Sequence, residues 1–284
     1  MLKKHEFHVV SSVQSTVRGQ ADLHLDGVSV DARADVHPTA RLGADCTIGP
    51  FAVVGANVEL GAGCVLHSHA VVQGPSRFGP QNEIHPFACI GGSPQDRRYK
   101  GEPTLLDVGA RNIFREHVTV SRGTIHGGGV TKIGDNNLIM AYSHVAHDCI
   151  LGDNIVMANH ATLAGHTEVQ NFAVFGGMVA VGTFLRIGES AMLAAGSMVE
   201  REIPPFCTVA GDRARLRVVN RVGLERREFS PLAMSQIKEI FKDLKSKKLS
   251  IDEIVTLRSS VSALTEEAAR MIAFLRTVKR GLVR

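Results

Sequence analysis

The sequence predicts a mainly β fold, a parallel β-helix of hexapeptide repeats, followed by a small α-helical domain. Between Ile133 and Val199 every sixth residue is apolar, and a mostly small residue follows four positions later. A period of six differs from the 3.6 of a helix and from the alternation of an ordinary strand. It is typical of short strands wound into a triangular prism, which the apolar residues fill. Beyond Ser230 the period becomes helical.

The repeat begins near Val30 and continues through eleven consecutive matches to Ile90. Residues 1–27 fit no register of the repeat, and we treat them as an N-terminal extension without an assigned function. We expect the β-helix to occupy residues 28–203, with loop excursions near 91–107 and 121–132. Both excursions are polar and glycine-rich, and loops on a rigid scaffold often carry binding residues.

Residues 204–284 are predicted to form a linker and a helical domain. Pro204 and Pro205 are expected to stop strand addition, because proline cannot donate to a sheet. Ser and Thr before an apolar period are typical helix N-caps, and Ser250 with Glu253 has the spacing of a capping box. Helices are predicted to start at Ser230-Pro231, Ser250 and about Thr265.

The net charge of +4 is unevenly distributed. Residues 204–284 contain 17 Lys and Arg against 9 Asp and Glu, so this third carries +8 and the remainder about −4. A basic surface of this kind attracts an acidic protein, nucleic acid or a membrane surface, or is simply the solvated face of helices.

The five cysteines predict a protein without a disulfide framework. They form no CxxC pair and their number is odd. Cys46, Cys64 and Cys149 occupy the small inward position of the repeat, where a thiol is a compact apolar filler. The sequence contains no apolar signal region and no run of roughly 20 apolar residues. We therefore expect a reducing, cytoplasmic location.

The segment with the most reactive side chains is His144-Val145-Ala146-His147-Asp148. Three hexads form one coil, so residues eighteen apart stack on neighbouring coils. This arithmetic places His147 beneath Gly165 and Asp148 beneath His166. It also forms a lane of small residues suited to a slender apolar chain: Ala158, Asn159, Gly176, Gly177, Ala194 and Ala195.

Two chemistries fit these histidines. In the first, Asp148 fixes the tautomer of His147, which then acts as a general base, while the Gly165 amide stabilises an oxyanion. In the second, His144, His147 and His166 supply three nitrogen ligands to zinc and leave one position open for water. No nucleophile-elbow motif is present, so serine-type catalysis is not indicated.

The sequence resembles the acyl-carrier-protein–UDP-N-acetylglucosamine O-acyltransferases, which begin lipid A synthesis in Gram-negative bacteria. The resemblance covers roughly residues 29–284 and keeps the domain order. It is carried by the segments Ser93-Pro94-Gln95-Asp96, Gly101-Glu102-Pro103-Thr104, His144-Val145-Ala146-His147-Asp148-Cys149, Ala161-Thr162-Leu163-Ala164-Gly165-His166, Phe175-Gly176-Gly177-Met178, Arg226-Arg227 and Phe229-Ser230.

The resemblance implies a left-handed β-helix assembled as a homotrimer with active sites between subunits, and neither cofactor nor metal. It implies that His147, oriented by Asp148, deprotonates the sugar 3-hydroxyl, which attacks the thioester of a 3-hydroxyacyl chain on acyl carrier protein. Gly165 would hold the oxyanion, and the basic domain would dock the acidic carrier. The other implied contacts are substrate-binding residues Gln95, Asp96, Ser121, His144, His166, Asn220, Arg226 and Arg227, and an acyl pocket of Gly176, Gly177, Ala194 and Ala195.

Several positions depart from the family pattern. Ser121 stands where a histidine is common, and Gly182-Thr183 stands where His-Gln is common; both border the sugar pocket. Val222 replaces an acidic residue and Arg98 a lysine, while Ala194 and Ala195 replace glycines and suggest a restricted acyl length.

Because some departures lie beside the sugar pocket, an alternative is that the acceptor is a 3-amino sugar, whose acylation gives an amide. A zinc enzyme resembling the γ-class carbonic anhydrases and a non-catalytic trimeric scaffold are the other classes considered. The sister N-acyltransferase of the pathway is disfavoured, because the sequence has no counterpart of its uridine-binding domain.

Overall fold

The computed structural model describes residues 27–284, so most of the predicted N-terminal extension lies outside the described residues. The chain divides into two compact units, Met1–Asp148 and Cys149–Arg284. Each unit contains short strands arranged in three parallel sheets. The second also contains four helices. The predicted fold class, a parallel β-helix followed by helices, is confirmed.

The described part of the first unit, residues 27–148, contains seventeen strands of two to four residues. Its first sheet contains β1 Ser29–Val30, β4 Thr47–Ile48, β7 Val65–Leu66, β10 Glu83–Ile84, β13 Ile113–Phe114 and β16 Leu138–Ile139. Its second contains β2 Asp35–Val36, β5 Val53–Val54, β8 Val71–Val72, β11 Cys89–Gly92, β14 Thr119–Ser121 and β17 His144–Val145. Its third contains β3 Arg41–Leu42, β6 Val58–Leu60, β9 Ser76–Phe78, β12 Leu105–Val108 and β15 Val130–Ile133.

The second unit continues the same pattern of short strands. Its first sheet contains β19 Val156–Met157, β22 Val174–Phe175, β25 Met192–Leu193, β27 Cys207–Ala210 and β28 Arg215–Val219. Its second contains β20 Thr162–Leu163, β23 Ala180–Val181 and β26 Met198–Val199. Its third contains β18 Ile150–Leu151, β21 Glu168–Val169 and β24 Arg186–Ile187. The helices are α1 Arg221–Arg226, α2 Pro231–Ser246, α3 Ile251–Ser259 and α4 Glu266–Arg276. Within residues 27–284, no helix combines the length and hydropathy that crossing a bilayer requires.

The strand register follows the predicted coil length. Thr47 pairs with Val65 in the first unit, and Val156 pairs with Val174 in the second, both eighteen residues apart. The two excursions lengthen single coils, since Glu83 pairs with Ile113. The chain therefore returns to the same corner of the prism after each loop. Each loop lies between two strands of the repeat and leaves the pairing of the strands intact.

The small inward position of the repeat is occupied by an asparagine ladder in the middle of the first unit. Asn82, Asn112 and Asn137 are buried. The Asn82 side-chain oxygen accepts from the backbone and side chain of Asn112 at 3.0 and 2.9 Å, and Asn112 accepts from Asn137 likewise, both at 2.9 Å. Because every buried amide in the ladder is hydrogen-bonded, the polar side chains fix the coil spacing without a desolvation penalty.

A column of stacked rings lies along one corner of the first unit. Phe51, His69, Phe87, His117 and Tyr142 all have positive φ, between 59 and 63°. Their ring centroids lie 4.6 to 5.2 Å apart with interplanar angles of 8 to 15°. Left-handed backbone costs about 1 kcal/mol for such residues, and each ring pair returns about 0.5–1.5 kcal/mol. Stacking thus offsets the backbone cost at this corner.

The prediction that Pro204 and Pro205 stop strand addition is wrong. After them, β27 joins β25 in parallel, with Met192 opposite Thr208, and β28 returns antiparallel to β27. Both prolines precede the first residue of β27, so the strand keeps its backbone donors. The predicted linker therefore contains two strands and α1.

The helix starts match their predicted caps. The side chains of Ser230, Ser250 and Thr265 accept from Ala233, Glu253 and Ala268 respectively. Ser250 and Glu253 form the complete capping box. In the same unit, buried Glu202 accepts from the Lys279 and Arg280 amides at 2.8 and 2.9 Å. It also pairs with Arg186. These contacts hold the chain after α4 against the strands.

Candidate functional site

The centre of the candidate site is the pair His147–Asp148, at the turn that follows β17. The His147 Nδ1–H donates to Asp148 Oδ2 at 2.8 Å, and the Asp148 side chain has no exposed surface. Thr124, in the second excursion, donates to the same carboxylate from its amide and its hydroxyl, both at 2.7 Å. Three donors therefore hold the carboxylate that orients the His147 ring.

The second excursion is shaped around this carboxylate. It contains a 3₁₀ turn, Ile125–Gly127, capped by Thr124. A Cβ on Gly127 would lie 2.0 Å from the Asp148 carboxylate carbon, so only glycine fits there. The Asp148 amide donates to Thr131 Oγ1 at 2.8 Å. The glycine-rich loop therefore closes over Asp148 and excludes water from it.

The first excursion brings Asp96 towards the pair. The Arg98 side chain donates to both Asp96 oxygens, from Nη2 to Oδ2 at 2.8 Å and from Nε to Oδ1 at 3.2 Å. Hydrogen bonds from Arg98 hold the pKa of Asp96 well below its usual range, and the charge of His147 contributes to the same shift. Asp96 is thus an anion that faces the site with a guanidinium already attached.

Arg122 ties the first excursion to β14. Its amide donates to Gly92 O at 2.9 Å and its guanidinium to Gly91 O at 2.5 Å and to the Tyr99 hydroxyl at 3.3 Å. Arg122 is 7% exposed, and its Nε has no hydrogen-bond partner among the described residues. The buried guanidinium therefore ties Tyr99, in the middle of the loop that carries Gln95 and Asp96, to the start of that loop at Gly91.

The remaining predicted residues of the first unit take three different positions. His144 lies in β17 with its Nδ1 2.7 Å from Thr119 Oγ1. Burial lowers the pKa of His144, and the charge of His147 adds to this effect. Ser121 is buried at the end of β14, whereas Gln95 is exposed on the first excursion.

In the second unit, Gly165 and His166 lie at the turn after β20. Gly165 is buried, and its carbonyl accepts from the Phe184 amide at 3.1 Å. The His166 ring stacks on Phe184 with centroids 4.2 Å apart and an interplanar angle of 7°. The Arg280 guanidinium lies 5.1 Å from the centroid of the same Phe184 ring. The stack fixes the plane of the His166 imidazole.

The predicted lane of small residues is present in the second unit. The Gly176 amide donates to Leu193 O, and a Cβ on Gly176 would lie 2.5 Å from the Ala195 nitrogen. Gly177 has more room, because its added Cβ would meet only Asn159 O at 3.4 Å. Ala194 is half-buried and Ala195 exposed. Met178, 67% exposed, lies directly after the two glycines.

Arg227 is saturated by contacts within the second unit. Its guanidinium donates to Glu189 at 2.6 Å and to Ser190 Oγ at 2.7 Å, and lies 3.9 Å from the centroid of Phe172. Arg270 holds the other oxygen of Glu189 at 2.8 Å. These residues line a groove of about 790 Å³ between the third sheet and α4.

The Asn220 side chain is used in hydrogen bonds within the protein, whereas the Arg226 side chain is exposed. Asn220 caps α1 by accepting from the Gly223 amide at 3.2 Å, and its amide group donates to Ser190 O at 2.9 Å. Asn220 and Arg227 thus meet at Ser190. Arg226, in the last turn of α1, is exposed.

Sequence reasoning missed the residues that hold the site together. Three of them, Thr124, Arg122 and Tyr99, lie in the two loop excursions. The six-residue repeat is interrupted there and does not predict the path of the chain. Glu189 and Phe172, which saturate Arg227, lie 38 and 55 residues before it and in turns of the repeat. The one available signal was the Gly127-Gly128-Gly129 run, since glycines beside a reactive segment often admit a close side chain.

Comparison with known proteins identifies the family. A family model described as "Udp N-acetylglucosamine O-acyltransferase; Domain 2" matches residues 202–283, and one described as "Bacterial transferase hexapeptide (six repeats)" matches residues 39–74 and 131–165. The chain is 42% identical over 261 residues to an acyl-[acyl-carrier-protein]–UDP-N-acetylglucosamine O-acyltransferase of Verminephrobacter eiseniae, covering 88% of this chain and all of the relative. The corresponding protein of Herminiimonas arsenicoxydans is also 42% identical, over 90% of this chain and 99% of the relative.

Solved structures agree with the sequence relatives. The UDP-N-acetylglucosamine acyltransferase of Francisella novicida superposes with a TM-score of 0.87 at 34% identity, covering 90% of this chain and 94% of the other. That of Bacteroides fragilis gives the same TM-score at 31% identity, covering 90% and 100%. Since relatives above 40% identity match over almost their whole length, the chain belongs to the acyl-[acyl-carrier-protein]–UDP-N-acetylglucosamine O-acyltransferase family.

Proposed function

We propose that this protein transfers an acyl chain from acyl carrier protein to the 3-hydroxyl of UDP-N-acetylglucosamine, the first step of lipid A biosynthesis. The observation that carries the proposal is the His147–Asp148 pair, whose carboxylate is buried and held by Thr124. Family membership supports the donor and the acceptor, because the relatives are named for both. It also favours a transferase over a zinc hydratase or a non-catalytic scaffold.

The reaction begins when His147 accepts the proton of the sugar 3-hydroxyl. Because the Nδ1–H is donated to Asp148, Nε2 carries the lone pair that takes the proton of the sugar 3-hydroxyl. The sugar oxygen attacks the thioester carbonyl, and a tetrahedral oxyanion forms. When the carbon–sulfur bond breaks, the carrier thiolate takes the proton from the His147 imidazolium. The ester and the free thiol of the carrier are the products, and the base is regenerated.

The acyl end of the site is assigned to the second unit. Gly165 supplies a backbone N–H to the oxyanion, as the eighteen-residue repeat and the family resemblance both suggest. Gly176, Gly177, Ala194 and Ala195 hold the acyl chain, an assignment that rests on the family resemblance and on their small size. The two alanines, standing where relatives often have glycines, restrict the length of that chain.

The contacts of the sugar nucleotide are assigned from the family resemblance. Gln95, Asp96, Ser121, His144 and His166 are the proposed contacts of the sugar and the acyl chain. Among the phosphate-binding candidates, exposed Arg226 is the direct contact. Asn220 and Arg227 position it, because their polar groups are already used on Ser190, Glu189 and the start of α1.

We assign the basic C-terminal third to docking the acidic carrier protein, since residues 204–284 carry a net charge of +8. A reducing cytoplasm is the proposed location, since no disulfide joins the five cysteines among the described residues. A homotrimer is supported by the sheet faces. In the first unit the third sheet presents Arg41, Glu59, Arg77 and Lys132 outward, whereas the first and second present mostly apolar or small residues such as Val65, Ile113, Leu138, Val53 and Val71.

A second candidate, transfer to a 3-amino sugar, is favoured by three residues assigned to the sugar side. Ser121 is buried and small where a histidine is common, and Gly182-Thr183 stands where His-Gln is common. An amine is a better nucleophile than a hydroxyl and depends less on a strong base. Comparing turnover of UDP-N-acetylglucosamine with that of its 3-amino analogue decides between the two.

The test of the proposed function is an acyl-transfer assay with both acceptors and carrier proteins charged with 3-hydroxyacyl chains of different lengths. We expect acyl UDP-N-acetylglucosamine to form with one preferred chain length. Exclusive use of the amino sugar would select the second candidate. The proposal would be overturned if the folded protein bound neither sugar nucleotide and acylated neither of them with any of the carriers.

A further inference from the structure

A second group of convergent histidines lies in the first unit, on the turns that follow β7 and β10. His67 follows β7, and Glu83 and His85 flank the inward Ile84 of β10. The three side chains come from neighbouring coils, because Val65 pairs with Glu83 in the register of eighteen. None of them has a part in the proposed transfer reaction.

The ligand-type atoms of these residues point at one another. His67 Nε2 lies 2.7 Å and His85 Nε2 3.2 Å from the same atom, Glu83 Oε1. One nitrogen or oxygen from each residue lies within 4.8 Å of the other two. The two imidazole rings have centroids 4.6 Å apart and are tilted by 32°. Two imidazole nitrogens and a carboxylate oxygen thus surround one small volume.

A second carboxylate lies behind His85, at ion-pair distance. The His85 Nδ1 lies 3.4 Å from Glu116 Oε1, and Arg115 holds the same oxygen at 3.0 Å. When Nδ1 donates its proton to Glu116, Nε2 presents a lone pair towards Glu83 and His67. A histidine fixed in this way by a carboxylate behind it is the usual arrangement of a metal-binding imidazole.

We propose that His67, Glu83 and His85 form a binding site for a divalent transition metal of the zinc type. Two nitrogens and one carboxylate oxygen are donors that zinc accepts, and three protein ligands leave a fourth position for water. Imidazole donors disfavour calcium and magnesium, which prefer oxygen ligands. In the single chain the side chains of His67, Glu83 and His85 are 39, 38 and 17% exposed.

The charges around the site favour a cation. Arg115 neutralises Glu116, which leaves the carboxylate of Glu83 as the net charge beside two imidazoles. Binding a metal replaces the His67–Glu83 hydrogen bond with two metal–ligand bonds. A bound metal would also link two neighbouring coils of the prism and so resist their separation. Metal binding should therefore raise the thermal stability of the protein.

The test measures binding of Zn²⁺ alone to tag-free, full-length protein by calorimetry, with Co²⁺ absorption as a report of coordination. We expect one Zn²⁺ per chain and an increase of Tm on adding it. His67→Asn and His85→Asn should each weaken binding more than 100-fold. Glu116→Gln, which removes only the orienting carboxylate, should weaken it about 10- to 100-fold.

Two control variants locate the metal. His37→Asn removes an exposed histidine of the same unit outside the group and should leave zinc binding unchanged. His147→Asn should do the same, which separates this site from the catalytic pair. Glu83→Gln serves if a histidine variant fails to fold. Absence of equimolar binding, equal binding by His67→Asn, His85→Asn and wild-type protein, or loss of binding in His147→Asn would overturn the proposal.

Discussion

The His147–Asp148 pair and the Arg227–Glu189 pair are both partly buried ion-pair geometries, yet they serve different purposes. In the first, three donors fix a fully buried carboxylate, and the partner is a ring that gains and loses a proton. In the second, the partner is a guanidinium with a permanent charge, which also packs on Phe172. A carboxylate beside histidine sets up proton transfer, whereas a carboxylate beside arginine anchors the chain.

The difference shows why charged residues in one family motif need not share a role. Arg226 and Arg227 are adjacent in sequence, but only Arg226 is exposed. The proposed role of His147 depends on its pairing with Asp148, which leaves Nε2 as the nitrogen that can accept a proton. The following variants separate the two pairs, from the largest expected effect to the smallest.

The largest effect is expected at the catalytic base. His147→Asn removes the proton acceptor but keeps a side chain that hydrogen-bonds Asp148. We expect kcat/KM for acyl transfer to fall by about 10²- to 10⁴-fold, the usual contribution of a general base. Circular dichroism and Tm should stay close to wild type. Activity within threefold of wild type would remove His147 from the mechanism.

The next effect is expected at Thr124, which positions the carboxylate. Thr124→Val keeps the shape but loses the hydroxyl that donates to Asp148 at 2.7 Å. A hydrogen bond to a charged group contributes about 1.5–3 kcal/mol, so we expect kcat to fall by about 10- to 100-fold. Thr124→Ser keeps the hydroxyl and is the matched control. If both variants lose the same activity, the hydroxyl does not position the pair.

The adjacent arginines should affect different quantities. Arg227→Gln leaves Glu189 partly unpaired, and we expect unfolding free energy to fall by about 1–3 kcal/mol, below the value for a fully buried pair because some solvent reaches it. Arg226→Gln should raise KM for the UDP-sugar about tenfold with unchanged stability. Urea unfolding and steady-state kinetics measure both. An exchange of the two phenotypes would reverse the assignment.

The smallest effect is expected in the pH dependence of stability at His144. Burial lowers the pKa of its folded form below the unfolded value of about 6.5. The unfolded state therefore binds more protons in that range, and this residue makes the protein less stable as pH falls below about 6.5. His144→Gln should flatten the dependence of unfolding free energy on pH there. An unchanged slope would contradict the burial effect.

The period of six predicted the inward residues of the strands, because each coil must fill the same narrow prism. Ser and Thr residues before the helical period predicted the helix caps, because a cap depends only on residues close by in the sequence. Prediction failed where contacts cross long loops. The approach of Thr124 to Asp148 depends on the path of a glycine-rich loop, and β27 forms after two prolines because neither must donate. Within the site, the pairing of His147 with Asp148 was predictable because the two are adjacent, but the contacts made by Thr124 and Arg122 across the loops were not.

The pH dependence of kcat/KM tests the central claim most directly. If neutral His147 is the general base, wild-type kcat/KM rises with pH as an imidazole loses its proton and then levels off. His147→Asn should be slow and lack this ascending limb, while Arg227→Gln should retain it. An ascending limb of the same midpoint in His147→Asn would contradict the claim, because another group would then be taking the proton.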